Sequence, residues 1–424
     1  MRVLLISANT EEFSMPTMPL GLACVAEAAR IAGHDVTLLD LMVGMDAGTE
    51  LRKTLTEIQP HCIGISVRNI DDQYMESPRF LVEKGKDVVA VCRKQSRAPI
   101  VLGGAGYSIF PESVLNYLDA DLGIAGEGEI AFPALLSRLE KGADLSGLPG
   151  LYVRGCGAKQ AKKNFTSLNE LSLPSPDLLS ASATKQEDLW IPVQTRRGCS
   201  LSCSYCSTPV IEGAILRKRS PELVADWLEK WVKAGYENFF FVDNTFNLPI
   251  DYAKEICRQI IERRLVVRAH CIIYPRDIDK ELVELMTLAG CRQVSLGFES
   301  GSEKILKNLN KGFSVEDIRT ASDMFAGQGI ERMGFLLLGG PGETRETVEE
   351  SLNFAESLQL NSLRLTAGIR IYPNTPLAGV AEKEGMPTSE DALFLPRFYL
   401  SQGLEGWLLE RLKTWKASRP YAIM

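Results

Sequence analysis

Short, unbroken apolar runs alternate with amphipathic stretches twice along the 424 residues, once before residue 142 and again after residue 190. VLLIS (3–7), DVTLLDL (35–41), CIGISV (62–67), PIVLGG (99–104) and DLGIAG (121–126) form the first series. A strand that is apolar on both faces must be covered on both, which is the pattern of parallel strands joined by helices. The intervening segments fit that reading, with helices predicted over 20–33, 49–58, 78–96 and 129–140. Residues 1–142 therefore predict an open, doubly wound α/β domain, whose ligand should sit beyond the carboxyl ends of the strands.

The second series runs through 191–198, 238–243, 266–273, 294–300, 332–339 and 362–372. Helices lie between, such as 344–358, where Val348, Leu352, Ala355 and Leu358 make a helical stripe. Six successive strand–helix units predict a partial (β/α)6 barrel over 190–385, with its chemistry at the strands' carboxyl ends. Residues 143–189 are expected to be a hairpin and a proline-rich linker. Residues 386–424 form a C-terminal tail, with Trp407 and Trp415 in a helical pattern, expected to help close the substrate pocket.

The net charge of −7 argues against a nucleic-acid partner, since basic runs such as 217–219 are short. No run reaches the ~18 apolar residues of a membrane span. The opening MRVLLIS is too short for a signal-peptide core, so the expected location is the cytoplasm. The ten cysteines are then reduced thiols or metal ligands. Cys24, Cys62, Cys92, Cys257, Cys271 and Cys291 fall in helix- or strand-like segments and read as core residues, and Cys156 as a bystander in a turn.

The remaining three sit together. Arg197-Gly198-Cys199-x3-Cys203-x2-Cys206 directly follows the first barrel strand. Structural zinc would need a fourth ligand, and the nearest candidates are distant in sequence. A cubane held by three thiolates keeps one iron open for another ligand. This motif, with Tyr205 before the last cysteine, resembles that of the radical S-adenosylmethionine (SAM) superfamily over about 190–375. The resemblance implies a [4Fe–4S] cluster on Cys199, Cys203 and Cys206. SAM would chelate its open iron and be cleaved to a 5′-deoxyadenosyl radical, with the electron coming from an external donor such as flavodoxin or ferredoxin. It also implies SAM contacts: Asp243 and Asn244 where the family often has Gly-Gly-Glu, Glu299 and Ser300 at the fourth strand's end, Gly340 and Pro341 in the next turn, and Ile371 and Tyr372 near adenine. The Gly339–Thr344 segment reads equally as a turn capped by Thr344.

Gly-rich loops close the N-terminal strands: Leu20 and Gly21 open the first helix, Ser66, Val67 and Arg68 end the third strand, Gly103 and Gly104 the fourth, and Gly126, Glu127, Gly128 and Glu129 the fifth. Glycine there lets backbone approach a bulky ligand. No Gly-x-Gly-x-x-Gly follows the first strand, which argues against a dinucleotide. These loops resemble the cobalamin-binding domain that precedes many radical SAM enzymes, and they imply cobalamin as a third cofactor. The Asp-x-His-x-x-Gly motif of other cobalamin proteins is missing, and His34 and His61 precede strands. The cobalt is therefore expected to lack a protein histidine, with Arg68 either beneath the corrin or simply solvated. The resemblance points to a cobalamin-dependent radical SAM enzyme that methylates an unactivated carbon of a small molecule or of a peptide or protein side chain. A cobalamin-using cyclase or rearrangement enzyme and a non-catalytic sensor are the alternatives.

Overall fold

The computed structural model describes residues 1–9, 17–42, 47–159, 167–179 and 189–424. Strands β1 (Arg2–Ser7), β2 (Asp35–Asp40), β3 (Cys62–Ser66), β4 (Ile100–Gly103) and β5 (Leu122–Ile124) pair in parallel in the order β2-β1-β3-β4-β5. The cause is visible in β1. Leu4 and Ile6 enter one core, Val3 and Leu5 the other, and all four are at most 1% exposed. Helices Leu20–Ile31 and Gly128–Lys141 cover one face with Leu22, Ala26, Phe132 and Leu135, while Ala47–Ile58 and Val82–Gln95 cover the other with Leu51, Leu55 and Val89. Each such leucine, valine or phenylalanine contributes about 1.5–3 kcal/mol by burial.

The hairpin expected as part of the connection belongs to this sheet. β6 (Leu151–Val153) pairs antiparallel with β5, and β7 (Gly157–Ala158) with β6, so among the described residues the sheet has seven strands and continues past residue 142.

Strands β8 (Ile191–Val193), β9 (Asn238–Phe241), β10 (Arg268–Ile273), β11 (Cys291–Glu299), β12 (Glu331–Leu338) and β13 (Ser362–Ala367) make the partial barrel in sequence order, all parallel. A seventh strand, β14 (Ala422–Ile423), joins the β13 edge. The tail therefore finishes the barrel edge, with helix Trp407–Lys416 over it, and Leu393, Phe394 and Tyr399 enter a core shared with the N-terminal sheet. Phe239 and Phe241 meet Trp227 and Trp231 in the outer layer, and Phe240 takes the inner side. Two expected long strands are shorter, because the chain leaves the ladder after Val193 and at Gly368.

The two domains are docked. Ile369, Ile371 and Tyr372, beyond β13, lie in one apolar cluster with Leu4, Ile65 and Phe110 of the N-terminal domain. At its edge Arg370 Nε donates to Asp71 Oδ2 at 2.7 Å, with both side chains at most 2% exposed. Among the described residues, no helix is long and apolar enough to cross a membrane.

Candidate active site between the two domains

A cleft of about 330 Å³ opens at the carboxyl ends of the first sheet and is closed by the barrel. One wall carries Ser66, Arg68, Gly103, Gly104 and the 126–129 loop; Leu20 and Gly21 border it from the first helix. Gly104 has φ +104°, and a Cβ there would stand 2.6 Å from the Val67 carbonyl oxygen, so only glycine lets these loops meet. Val67 is buried behind this wall, where its N–H donates to Gly103 O. The opposite wall is Pro192, Gln194, Arg197, Glu212, Phe240 and Val242 of the barrel.

Among the described residues no histidine lines the cleft. His34 lies beside the N-terminal amine and His61 Nδ1 accepts from Arg2 N, both at the opposite end of the sheet. Arg68 borders the open space, where burial holds its guanidinium below the usual arginine range and Asp40 acts the other way.

Buried ion pairs tie the walls together. Arg197 bonds to Glu129 and lies 3.4 Å from Glu127, which Arg217 meets at 2.6 Å. Burial opposes ionisation of Glu129, but the charge and hydrogen bond of Arg197 outweigh it and leave the carboxyl below its ordinary range. The 126–129 loop thus faces the cleft, while its two carboxylates serve the domain interface.

The cysteine loop sits next to this wall. Cys199, Cys203 and Cys206 are half-buried, and burial pushes the thiols of Cys199 and Cys203 up. The loop is stitched from three sides: Cys199 N to Gly213 O (3.2 Å), Ser204 N to Leu309 O (2.9 Å) and Asn310 Nδ2 to Ser202 O (2.8 Å). Among the described residues no three His, Cys, Asp or Glu side chains converge on one ion. A cubane gives each thiolate its own iron, so its ligands need not converge in that way.

Tyr205 and Glu299 come together beside the loop, with the Tyr205 hydroxyl donating to Glu299 Oε1 at 3.0 Å. Glu299 has φ +67°, a costly backbone for a non-glycine residue and one that tends to mark functional positions. Lys311 completes the group, its Nζ 3.1 Å from the Tyr205 oxygen and 3.5 Å from Glu299, and only 6% exposed. Its charge pulls the Cys203 and Cys199 thiols down against their burial. The sequence reading missed Lys311. The available signal was the need for a cation beside three thiolates and a carboxylate.

The other expected SAM contacts also have partners within the chain. Asp243 is 1% exposed and accepts from Thr195 N, Thr195 Oγ1 and Arg196 N, so it clamps the turn after β8. Asn244 beside it is exposed and donates to Glu212. Ser300 is fully buried, bonded to Ser351 and Ser302. Ile371 and Tyr372 sit in the interdomain core, where Tyr372 accepts from Gln73. In the turn after β12, Glu343 accepts from Gly339 N and from Gly340 N (2.9 Å), Asn308 donates to Pro341 O (2.8 Å), and Thr344 caps the next helix.

Residues 193–355 match the model of the radical SAM superfamily, and residues 6–136 that of the B12 binding domain. The chain belongs to the cobalamin-binding radical SAM family. It is 27% identical to an uncharacterized methyltransferase of Pyrococcus horikoshii, over 89% of this chain and 82% of that protein. It is 26% identical to the tryptophan 2-C-methyltransferase of Streptomyces laurentii, over 87% and 73%. It is also 27% identical to the anaerobic magnesium-protoporphyrin IX monomethyl ester cyclase of Rubrivivax gelatinosus, over 84% and 65%. Among solved structures, the radical SAM methyltransferase TsrM of Kitasatospora setae, with tryptophan and a SAM analogue bound, superimposes with a TM-score of 0.87. That match covers 100% of this chain and 90% of TsrM at 23% identity. As a member of this family the chain is an enzyme, and its cofactors are a [4Fe–4S] cluster, SAM and cobalamin. The residues present fit them: three thiolates on one loop, and a glycine-cleared cleft at the strand ends.

Proposed function

We propose that this enzyme methylates an unactivated carbon. The observation that supports the reading best is the interdomain cleft, where Arg197, two residues before Cys199, pairs with Glu127 and Glu129 of the opposite wall. When bound, the cluster with SAM supplies a carbon-centred radical and cobalamin supplies a methyl group, chemistry that belongs to the cofactors. The chain's own part is placement. Cys199, Cys203 and Cys206 hold the cluster, and the cation of Lys311 offsets thiolate charge beside Glu299. Gly103, Gly104 and the 126–129 loop receive the corrin, with Arg68 on the same wall. Phe240, Val242 and Ile211 give the barrel side an apolar lining that keeps water from a radical. The substrate is a small molecule or a peptide or protein side chain, and the electron comes from an external donor such as flavodoxin or ferredoxin. The methyltransferases among the relatives support this reading, and the cyclase of Rubrivivax gelatinosus supports the alternative of ring closure without methyl transfer.

The test is incubation of the reconstituted holoenzyme with methyl-labelled SAM, a low-potential reductant and a metabolite extract from cells lacking the enzyme. Methyl transfer gives S-adenosylhomocysteine and 5′-deoxyadenosine in roughly equal amounts, with label in the product. Deoxyadenosine without S-adenosylhomocysteine, and a product of unchanged carbon count, would establish ring closure or rearrangement instead.

A further inference from the structure

Glu212 ends the helix Thr208–Glu212 that follows the last cluster cysteine, and it also lines the cleft. Its carboxylate accepts from Gly198 N at 3.1 Å, Gln194 Nε2 at 3.0 Å and Asn244 Nδ2 at 3.4 Å. A carboxyl group met only by donors is arranged as an ionised acceptor. Burial, with Asp243 acting the same way, pushes this carboxyl above its ordinary range, and the Gly198 amide, Arg197 and Gln194 pull against that shift without cancelling it.

The first of these bonds reaches the cluster loop. Gly198 has φ +84°, and a Cβ there would lie 2.2 Å from Ile215 O, so only glycine fits at this position. The next amide, Cys199 N, donates to Gly213 O at 3.2 Å. Glu212 and Gly213 therefore grip two successive amides at the start of the loop. Glu212 is also among the charges felt by the Cys199 thiol, where it acts opposite to Lys311. A fixed negative charge in a partly buried site disfavours the arrival of an electron nearby, and such charges are a main determinant of iron–sulfur potentials.

We propose that Glu212 is a positioning residue of the cluster loop, and that its carboxylate holds the cluster's reduction potential down. Glu212 lies outside the cysteine motif and reaches back over fourteen positions to Gly198, a pairing that only the fold creates. The inference rests on the cluster assignment.

The experiment is a redox titration of anaerobically reconstituted protein, followed by electron paramagnetic resonance of the reduced cluster, comparing wild type, Glu212→Gln and Glu212→Asp. Glu212→Gln keeps an acceptor for Gly198 and removes the charge, so its midpoint should shift positive. Glu212→Asp keeps the charge and should stay near wild type. A fully loaded Glu212→Gln cluster with an unchanged or more negative midpoint overturns the proposal. So does a positive shift in Glu212→Asp, which also decides the matter if Glu212→Gln holds no cluster. Wild-type protein that takes up no iron refutes the cluster assignment itself, which is a separate outcome.

Discussion

Replacing Asp71 by Ala should loosen the joint between the domains. Arg370 Nε meets Asp71 Oδ2 at 2.7 Å, and the side chains are 2% and 0% exposed. Arg370 also donates to Ile371 O at 2.6 Å and Leu393 O at 2.8 Å, and its guanidinium lies 5.0 Å from the Tyr372 ring centre. These bonds keep the cation in place after Asp71 is gone, so the variant holds a buried charge without a counter-ion. Breaking such a pair costs about 3–5 kcal/mol. At an unfolding entropy of roughly 2 cal/mol/K per residue, that lowers Tm by about 3.5–6 °C for a chain of this length. Asp71→Asn keeps an acceptor and should lose less. The double variant Asp71→Leu/Arg370→Met should regain most of the loss, since an apolar replacement of a buried pair is often neutral. Scanning calorimetry of the metal-free protein measures all three. An Asp71→Ala Tm within 1 °C of wild type (about 1 kcal/mol) would refute the reasoning, as would a double variant less stable than either single one.

Changing Cys199, Cys203 and Cys206 together to Ala should abolish both iron uptake and release of 5′-deoxyadenosine, read by iron analysis and chromatography; retention of either contradicts the site. Burial pushes the Glu343 carboxyl up from its ordinary 4.5 to about 7, against hydrogen bonds from Gly339 and Gly340. The folded state therefore binds more protons than the unfolded one between these values, and stability should fall as pH rises from 4.5 to 7 and then level off. Glu343→Gln should flatten that slope and gain up to ~3 kcal/mol at pH 8, checked by Tm at pH 5, 6 and 8. The protein should bind about one cobalamin, and paramagnetic resonance of the Co(II) state should lack nitrogen splitting from a protein histidine. Splitting that disappears in His34→Ala or His61→Ala would overturn the geometry, which holds both at the far end of the sheet.

The parts legible in the sequence are those fixed by neighbours along the chain. Apolar runs such as 3–7 had to be parallel strands because each face needed its own cover, and the three cysteines fall within one loop. What escaped depends on distant partners. Asp243 sits where a SAM contact was expected, and its carboxylate also accepts from the Thr195 and Arg196 amides of the neighbouring strand's turn. Ile371 and Tyr372, expected near adenine, lie in an apolar core that exists only because the two domains dock. Lys311 and Glu212 gain meaning only once folding brings them to Tyr205 and Gly198. The tail's last strand, two residues long, is too short to leave a periodic signal.

The distribution of thiols has a practical consequence. Six cysteines are sealed in the cores, where burial pushes those of Cys24, Cys62 and Cys92 up to about 12, so they resist alkylation while the chain stays folded. The three on the loop are half-open, and Cys156 alone is fully exposed. Cys156 should therefore react at the same rate with or without iron, whereas the loop thiols should be shielded once metallated. The ratio of the two labels, read by mass spectrometry on a single sample, makes this otherwise idle residue an internal standard for how much of a preparation carries its cluster.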